Sequence, residues 1–176
     1  YRWDGLEVWG REGRHGQAGH VADAVPRPAR ARHVTEVKFY HNAPDRLRAA
    51  CAITGKAVRQ GRRIFVLAPD ELLARRYDHM LWAVPALSFI PHVAQGSPLA
   101  ARTPVVIGRD LASAGHSDVL LNLSDAEPGG HESFALVVEI VSQDPADRQT
   151  ARQRWQFYKE RGYPIAAYDL AKPADS

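Results

Sequence analysis

Arg63-Ile64-Phe65-Val66-Leu67-Ala68, followed by Pro69-Asp70-Glu71-Leu72-Leu73, sets a short apolar run directly before a helix start. Four consecutive apolar residues between polar flanks read as a buried strand. Asp70 then has the chemistry of a helix N-cap. Leu73, Tyr77 and Met80/Leu81 recur at helical spacing behind it and give one apolar helix face. Strand followed at once by amphipathic helix is the unit of an α/β fold.

The same alternation extends in both directions. Upstream, Thr35–Tyr40 reads as a short strand. Asn42 is placed to cap a helix with Pro44 in its first turn. Leu47, Ala50/Cys51, Thr54 and Val58 form that helix's apolar face, and Gly61 stops it. Downstream, Pro85 ends the second helix, and residues 83–103 read as irregular, with prolines at 85, 91 and 98. Pro104–Ile107 and Val119–Leu123 read as strands. Their connection is short for a helical crossover, so an antiparallel pair is expected. Ala135–Val141 is a further strand, with room for a short helix before it. A third long helix starts at Asp144 or Asp147, reaches Arg161 and stops at Gly162. Pro164–Tyr168 is a last strand, and the tail 171–176 is expected to fray. The expected architecture is a single-domain, three-layer α/β/α sandwich with a Rossmann-like, mostly parallel sheet over residues 34–176.

Composition agrees with one domain. The chain has 176 residues, 45% hydrophobic and 24% charged, which excludes wholesale disorder. A lone cysteine, Cys51, rules out an internal disulfide and any CxxC motif, and suits a reducing compartment. No apolar run approaches the roughly 18 residues of a membrane-spanning helix. Residues 1–33 differ in kind, with five glycines, six arginines and no apolar period. They are expected to be a disordered N-terminal extension. Met80 is the only methionine, and the native start is expected at or near Val34, through a non-AUG codon. The formal charge is +3, from 23 basic and 20 acidic residues. Residues 1–33 hold six and four of these, which leaves 17 against 16 for residues 34–176. A nearly neutral domain has no bulk charge for wrapping DNA.

Chemistry is sparse. The turn after the first strand, His41-Asn42-Ala43-Pro44-Asp45, carries no glycine, so backbone cannot approach a pyrophosphate as in dinucleotide enzymes. There is no GxxxxGK[ST] and no GxSxG. Histidines 41, 79, 92, 116 and 131 lack HxxxH or HxH spacing and read as surface or loop residues. Cys51 reads as a small buried hydrophobe, and Asp70-Glu71 as a cap complementing the helix dipole. No catalytic residue, metal or cofactor is expected, and the chain reads as a binding module.

Two features rise above this background. Arg148, Arg152, Trp155 and Lys159 fall on one narrow stripe of the last helix. Three cations around an aromatic fit an acidic peptide, and equally fit stacked single-stranded DNA bases. A solvated charged face with Trp155 at the core edge is the plain structural alternative. The second feature is Trp82-Ala83-Val84-Pro85-Ala86-Leu87-Ser88-Phe89-Ile90-Pro91-His92. Trp82, Leu87, Phe89 and Ile90 lie in a proline-stiffened segment read as loop. They either plug the core or form a partner patch.

Several pieces of the chain together resemble the chi subunit family of bacterial DNA polymerase III. They are Val37-Lys38-Phe39-Tyr40, Gly61-Arg62-Arg63-Ile64-Phe65-Val66, and Leu81-Trp82 through Ser88-Phe89-Ile90-Pro91-His92. Ala151-Arg152-Gln153-Arg154-Trp155 to Tyr158, and Arg161-Gly162-Tyr163, complete the set. The resemblance covers about residues 34–172. It implies a non-catalytic, cytoplasmic replisome subunit with a Rossmann-like fold and no nucleotide chemistry. It implies binding to a psi subunit of the clamp-loader complex and to the acidic C-terminal tail of single-stranded DNA-binding protein, with DNA contact mainly indirect. By the same resemblance, Arg148, Arg152 and Trp155, with Val141 on the preceding strand, match the tail-binding positions. Trp82 and Phe89 match those that engage psi or a helicase partner. Gln156 stands where family members carry a lysine, so either tail binding is weakened or Lys159 compensates. The alternatives from other classes are a Rossmann-like nucleotide-dependent enzyme with an atypical site and a module that binds single-stranded DNA directly.

Overall fold

The computed structural model describes residues 34–83 and 89–172, and within it residues 34–171 form one compact unit. The expected extension 1–33 lies outside the described residues. Among the described residues seven strands form one sheet: β1 (Glu36–Ala43), β2 (Ile64–Leu67), β3 (His92–Ala94), β4 (Val105–Gly108), β5 (Val119–Asn122), β6 (Leu136–Ser142) and β7 (Ile165–Asp169). Their spatial order is β3-β4-β2-β5-β6-β1-β7, and every pairing is parallel. Three helices connect them: α1 (Arg46–Arg59), α2 (Glu71–Ala83) and α3 (Pro145–Glu160). The crossovers through α1 and α2 run in one direction along the sheet, and the crossover through α3 runs in the other. Parallel crossovers are right-handed, so α1 and α2 cover one face and α3 the opposite face. The sandwich has the three layers expected.

Ile-Phe-Val-Leu becomes β2, buried on both faces and paired with β4 and β5. Its alternation divides the core. Phe65 and Leu67 join Val37, Phe39, Leu120, Val137, Ala151 and Tyr158 in the cluster that includes α3. Under α1 and α2, the Thr54 hydroxyl meets the Tyr77 hydroxyl at 2.5 Å. Asp70 caps α2 as expected, accepting from the Leu73 amide at 2.8 Å. Asp144 caps α3, accepting from the Ala146 and Asp147 amides, and Gly162 ends the helix in the left-handed region at φ 74°.

Four expectations are corrected. The strands over 104–107 and 119–123 are not an antiparallel pair, because they flank β2 and both run parallel to it. Their connection passes over a single strand, about 10 Å, which a 3-10 turn at Leu111–Ser113 is enough to cross. The region read as irregular contains β3, a three-residue edge strand too short for periodicity to reveal. Asn42 does not cap α1. It lies within β1, and Asp45 accepts from the Arg48 amide at 3.0 Å. His92 and His131 are buried, at 9% and 5% exposure. Each ring has Nδ1 within hydrogen-bond distance of a nearby carbonyl, Ile90 O at 2.6 Å and Pro128 O at 2.8 Å, and stacks edge-on against aromatic rings.

One buried polar cluster ties α3 to the sheet. Glu139 on β6 is fully buried, and Arg154 on α3 is 1% exposed. Arg154 Nε donates to Glu139 Oε2 at 2.9 Å, while Asn122 Nδ2 and the Tyr158 hydroxyl donate to Oε1 at 2.9 and 3.0 Å. Arg154 Nη1 also donates to the Asp125 carbonyl. Burial pushes the Glu139 carboxyl above the usual range, and Arg154 with the three hydrogen bonds pulls it back.

Removing one partner strands the other charge. Arg154→Leu is expected to cost about 3–5 kcal/mol of stability by urea unfolding. Glu139→Leu/Arg154→Leu, which removes both charges, is expected to recover most of that loss. Burial also pushes the Cys51 thiol up to about 12, with Asp45 adding to the effect. At pH 8 only roughly one thiol in ten thousand is ionised at such a value. Ellman's reagent is therefore expected to label Cys51 only as the protein unfolds, with no fast phase in native buffer.

Candidate functional site: the outer stripe of the last helix

The two long rows of α3 do different work. Ala151, Arg154 and Tyr158 are buried against β6. Arg148, Arg152, Trp155 and Lys159 lie about a quarter-turn away, where the helix surface leaves the core. Arg148, Arg152 and Lys159 are exposed, and Trp155 is half-buried. Trp155 packs on Phe39 of β1, with ring centroids 5.0 Å apart. Phe39 in turn meets Tyr158 edge-on at 6.1 Å. One side of the indole is therefore held by the core at a tilted contact, and the rest forms an apolar platform bordered by cations.

The cations differ in tethering. Arg148 Nη2 donates to Asn42 Oδ1 at 2.9 Å. Among the described residues, Arg152 and Lys159 have no ion-pair partner. Gln156 turns away, its Nε2 donating to Glu160 Oε1 at 2.9 Å. Val141, at 5% exposure, belongs to the buried cluster against which Trp155 packs. The stripe is thus a shallow, cation-edged surface with an aromatic centre and an apolar floor.

The second set of candidates divides. Trp82 is on the last turn of α2, not on a loop, and is 61% exposed. Phe89 is 68% exposed, and the two rings are 5.3 Å apart. Ile90, expected on the same face, is buried at 3%. Leu87 lies outside the described residues. His92 supports the pair from beneath. It meets Trp82 edge-on at 4.9 Å and has Asp78 3.3 Å from Nε2. Two large exposed rings in contact form an apolar patch on the α2 side of the sheet.

At the carboxyl ends of β1 and β6, neighbouring strands send their helices to opposite faces, the place where open α/β sheets bind ligands. Here Asp45 and Asp144 occupy the first-turn amides of α1 and α3. A phosphate would meet two carboxylates instead of free N–H groups, which disfavours the nucleotide-enzyme reading.

Sequence reading located the stripe and the aromatic pair. It missed the Glu139–Arg154 pair and the Asn42–Arg148 contact. The first had a signal: Glu139 interrupts the apolar run Leu136–Val141, and Arg154 interrupts the buried row of α3, so opposite charges sit on two core-facing positions. The second had none, because it depends on a local backbone distortion.

Residues 34–166 match the family described as DNA polymerase III chi subunit, HolC. The chain is 35% identical over 143 residues to DNA polymerase III subunit chi of Pseudomonas aeruginosa, covering 79% of this chain and 99% of that protein. It is 32% identical over 116 residues to DNA polymerase III subunit chi of Escherichia coli, covering 65% and 79%. It is 26% identical over 125 residues to that of Haemophilus influenzae, covering 69% and 85%. With a matched span running from the first described strand into the last, the chain belongs to the DNA polymerase III chi subunit family.

Proposed function

We propose that this chi-family chain is a non-catalytic subunit that links the polymerase III clamp-loader complex to single-stranded DNA-binding protein by holding that protein's acidic C-terminal tail. The observation that carries this reading is the α3 stripe, in which exposed cations border an aromatic platform held on Phe39. A tail peptide offers carboxylates, a terminal apolar side chain and a free terminal carboxylate. Arg152 holds the terminal carboxylate by paired hydrogen bonds. Trp155 walls the apolar contact over the floor that includes Val141. Arg148 and Lys159 steer the acidic stretch and set the on-rate and salt dependence. Lys159 lies on the stripe and Gln156 is engaged with Glu160, which supports compensation by Lys159 for the lysine absent at 156.

Trp82 and Phe89 are a second, separate surface for psi or a helicase partner. Their exposure and mutual contact support this, since exposed aromatics in contact are typical interface anchors. This division puts one partner on the α3 face and another on the α2 face, in the cytoplasm at the replisome.

Titration of single-stranded DNA-binding protein with and without its last few residues tests the reading. Binding that survives truncation, or a steep salt dependence on bare single-stranded DNA, would instead support direct DNA binding. Arg152→Ala is expected to weaken tail binding by an amount at the lower end of roughly 2–5 kcal/mol, because Arg152 is exposed in the free chain. Unchanged affinity would remove this site. Phe89→Ala is expected to abolish capture of the psi-type partner in a pull-down while tail affinity stays the same. Survival of both contacts would make Phe89 irrelevant to partners.

A further inference from the structure

Asn42 is the one non-glycine residue among those described with positive φ, at 62°. Asparagine tolerates this region better than most residues, yet a single such position in a strand needs a cause. β1 pairs regularly with β6 up to Tyr40↔Ile140, and the register then shifts, with Ala43 opposite Ser142. The extra residue makes a bulge. In a regular pleat Asn42 would face away from Phe39 and α3. The bulge turns it toward α3.

Its side chain then bridges two elements. Nδ2 donates to Asp169 Oδ1 on β7 at 2.9 Å, and Oδ1 accepts from Arg148 Nη2 on α3 at 2.9 Å. The orientation of the amide has a chemical cause. A carboxylate only accepts and a guanidinium only donates, so Asp169 must face the NH2 group and Arg148 the oxygen. The backbone around the bulge is fastened on both sides. The Leu170 amide donates to His41 O at 2.9 Å, the Gln143 amide to Ala43 O at 3.1 Å, and Gln143 Nε2 to Asn42 O at 3.3 Å. The Ala171 amide donates to Asp169 Oδ1 at 2.9 Å.

We propose that Asn42 is a positioning residue: its amide, turned by the β1 bulge and oriented by Asp169, holds the Arg148 guanidinium ready for a carboxylate-rich peptide. The inference rests on the tail-binding reading of α3 and adds a residue that the helix itself does not contain. One of the five guanidinium N–H donors goes to Asn42, and the others remain for the ligand. Arginine loses much rotamer freedom when it is fixed, and a contact that fixes it in advance removes part of that cost from binding.

The test is calorimetric titration of the full chain with a synthetic acidic peptide ending in an apolar residue and a free carboxylate. The variants are Asn42→Gly, Arg148→Ala, the double variant and Arg152→Ala. Glycine accepts φ 62° without strain, so Asn42→Gly deletes the amide while keeping the bulge, and unchanged thermal unfolding checks this. Asn42→Gly is expected to weaken binding roughly two- to tenfold, the loss for one side chain that must be ordered on binding. In the Arg148→Ala background it is expected to have no further effect, a non-additivity that a merely structural role would not produce. An effect of Arg148→Ala without one of Asn42→Gly would overturn the positioning role and leave the tail reading standing. An equal loss from Asn42→Gly in both backgrounds would also overturn it. If Arg148→Ala is silent while Arg152→Ala weakens binding, Arg148 is outside the site and the role falls with it. If both arginine variants are silent, the tail reading itself fails.

Discussion

A salt bridge between Glu139 on β6 and Arg154 fixes α3 on the sheet. Both residues are almost wholly out of water, at 0% and 1% exposure. Burying two charges is costly unless their remaining donors and acceptors are met. The fold meets most of them from three elements, Asn122 on β5, Tyr158 on α3 and the Asp125 carbonyl after β5, and leaves Arg154 Nη2 without a hydrogen-bond partner among the described residues. Such a pair stabilises little compared with apolar packing, but it tolerates few geometries. It sets the rotation of α3 about its own axis, because only one rotation brings Arg154 over Glu139. That rotation turns Arg148, Arg152, Trp155 and Lys159 outward.

One helix thus carries a buried row and an exposed row about a quarter-turn apart. Trp155 lies on the boundary and belongs to both. Its contact with Phe39 contributes to the core and also restricts the motion that an exposed indole would have. The domain's near-neutral charge makes this local arrangement matter more. With 17 basic against 16 acidic residues in 34–176, net charge gives the domain little long-range attraction for nucleic acid, and the cations of the α3 stripe stand out locally. Trp82 and Phe89 sit on α2 and the segment before β3, across the sheet from α3.

Much of this was legible in the residues. The run Ile64–Leu67 with Asp70 behind it, the row Leu47–Val58, and the cap and stop of α3 at Asp144 and Gly162 are local signals. Strand and helix formation, capping and chain reversal are decided within a few residues, so they can be read there. The α3 stripe was legible for the same reason, since helical spacing alone brings its members to one side. What failed was non-local. The connection between β4 and β5 gave no sign that β2 lies between them, because strand order is chosen by packing over the whole sheet. The three residues of β3 are too few to show a period. Ile90 and Phe89 are adjacent and both apolar, yet one is buried and the other exposed, according to what lies beneath each.

The α/β class, the helix ends and the identity of the cations and aromatics on α3 follow from the residues alone. These depend on backbone propensity and on side-chain period, which act over one or two turns. Packing of the sheet against α3 selects which charges lie inside and which stay exposed. Arg154 and Arg152 are two positions apart on one helix, yet the first is buried on Glu139 and the second is exposed. Asn42 resembles a helix cap in sequence, but a bulge in β1 turns it to Arg148. The physical reason is the same in both cases: an opposite charge or hydrogen-bond partner many residues away in the chain is brought within 3 Å only when the sheet and α3 are packed together.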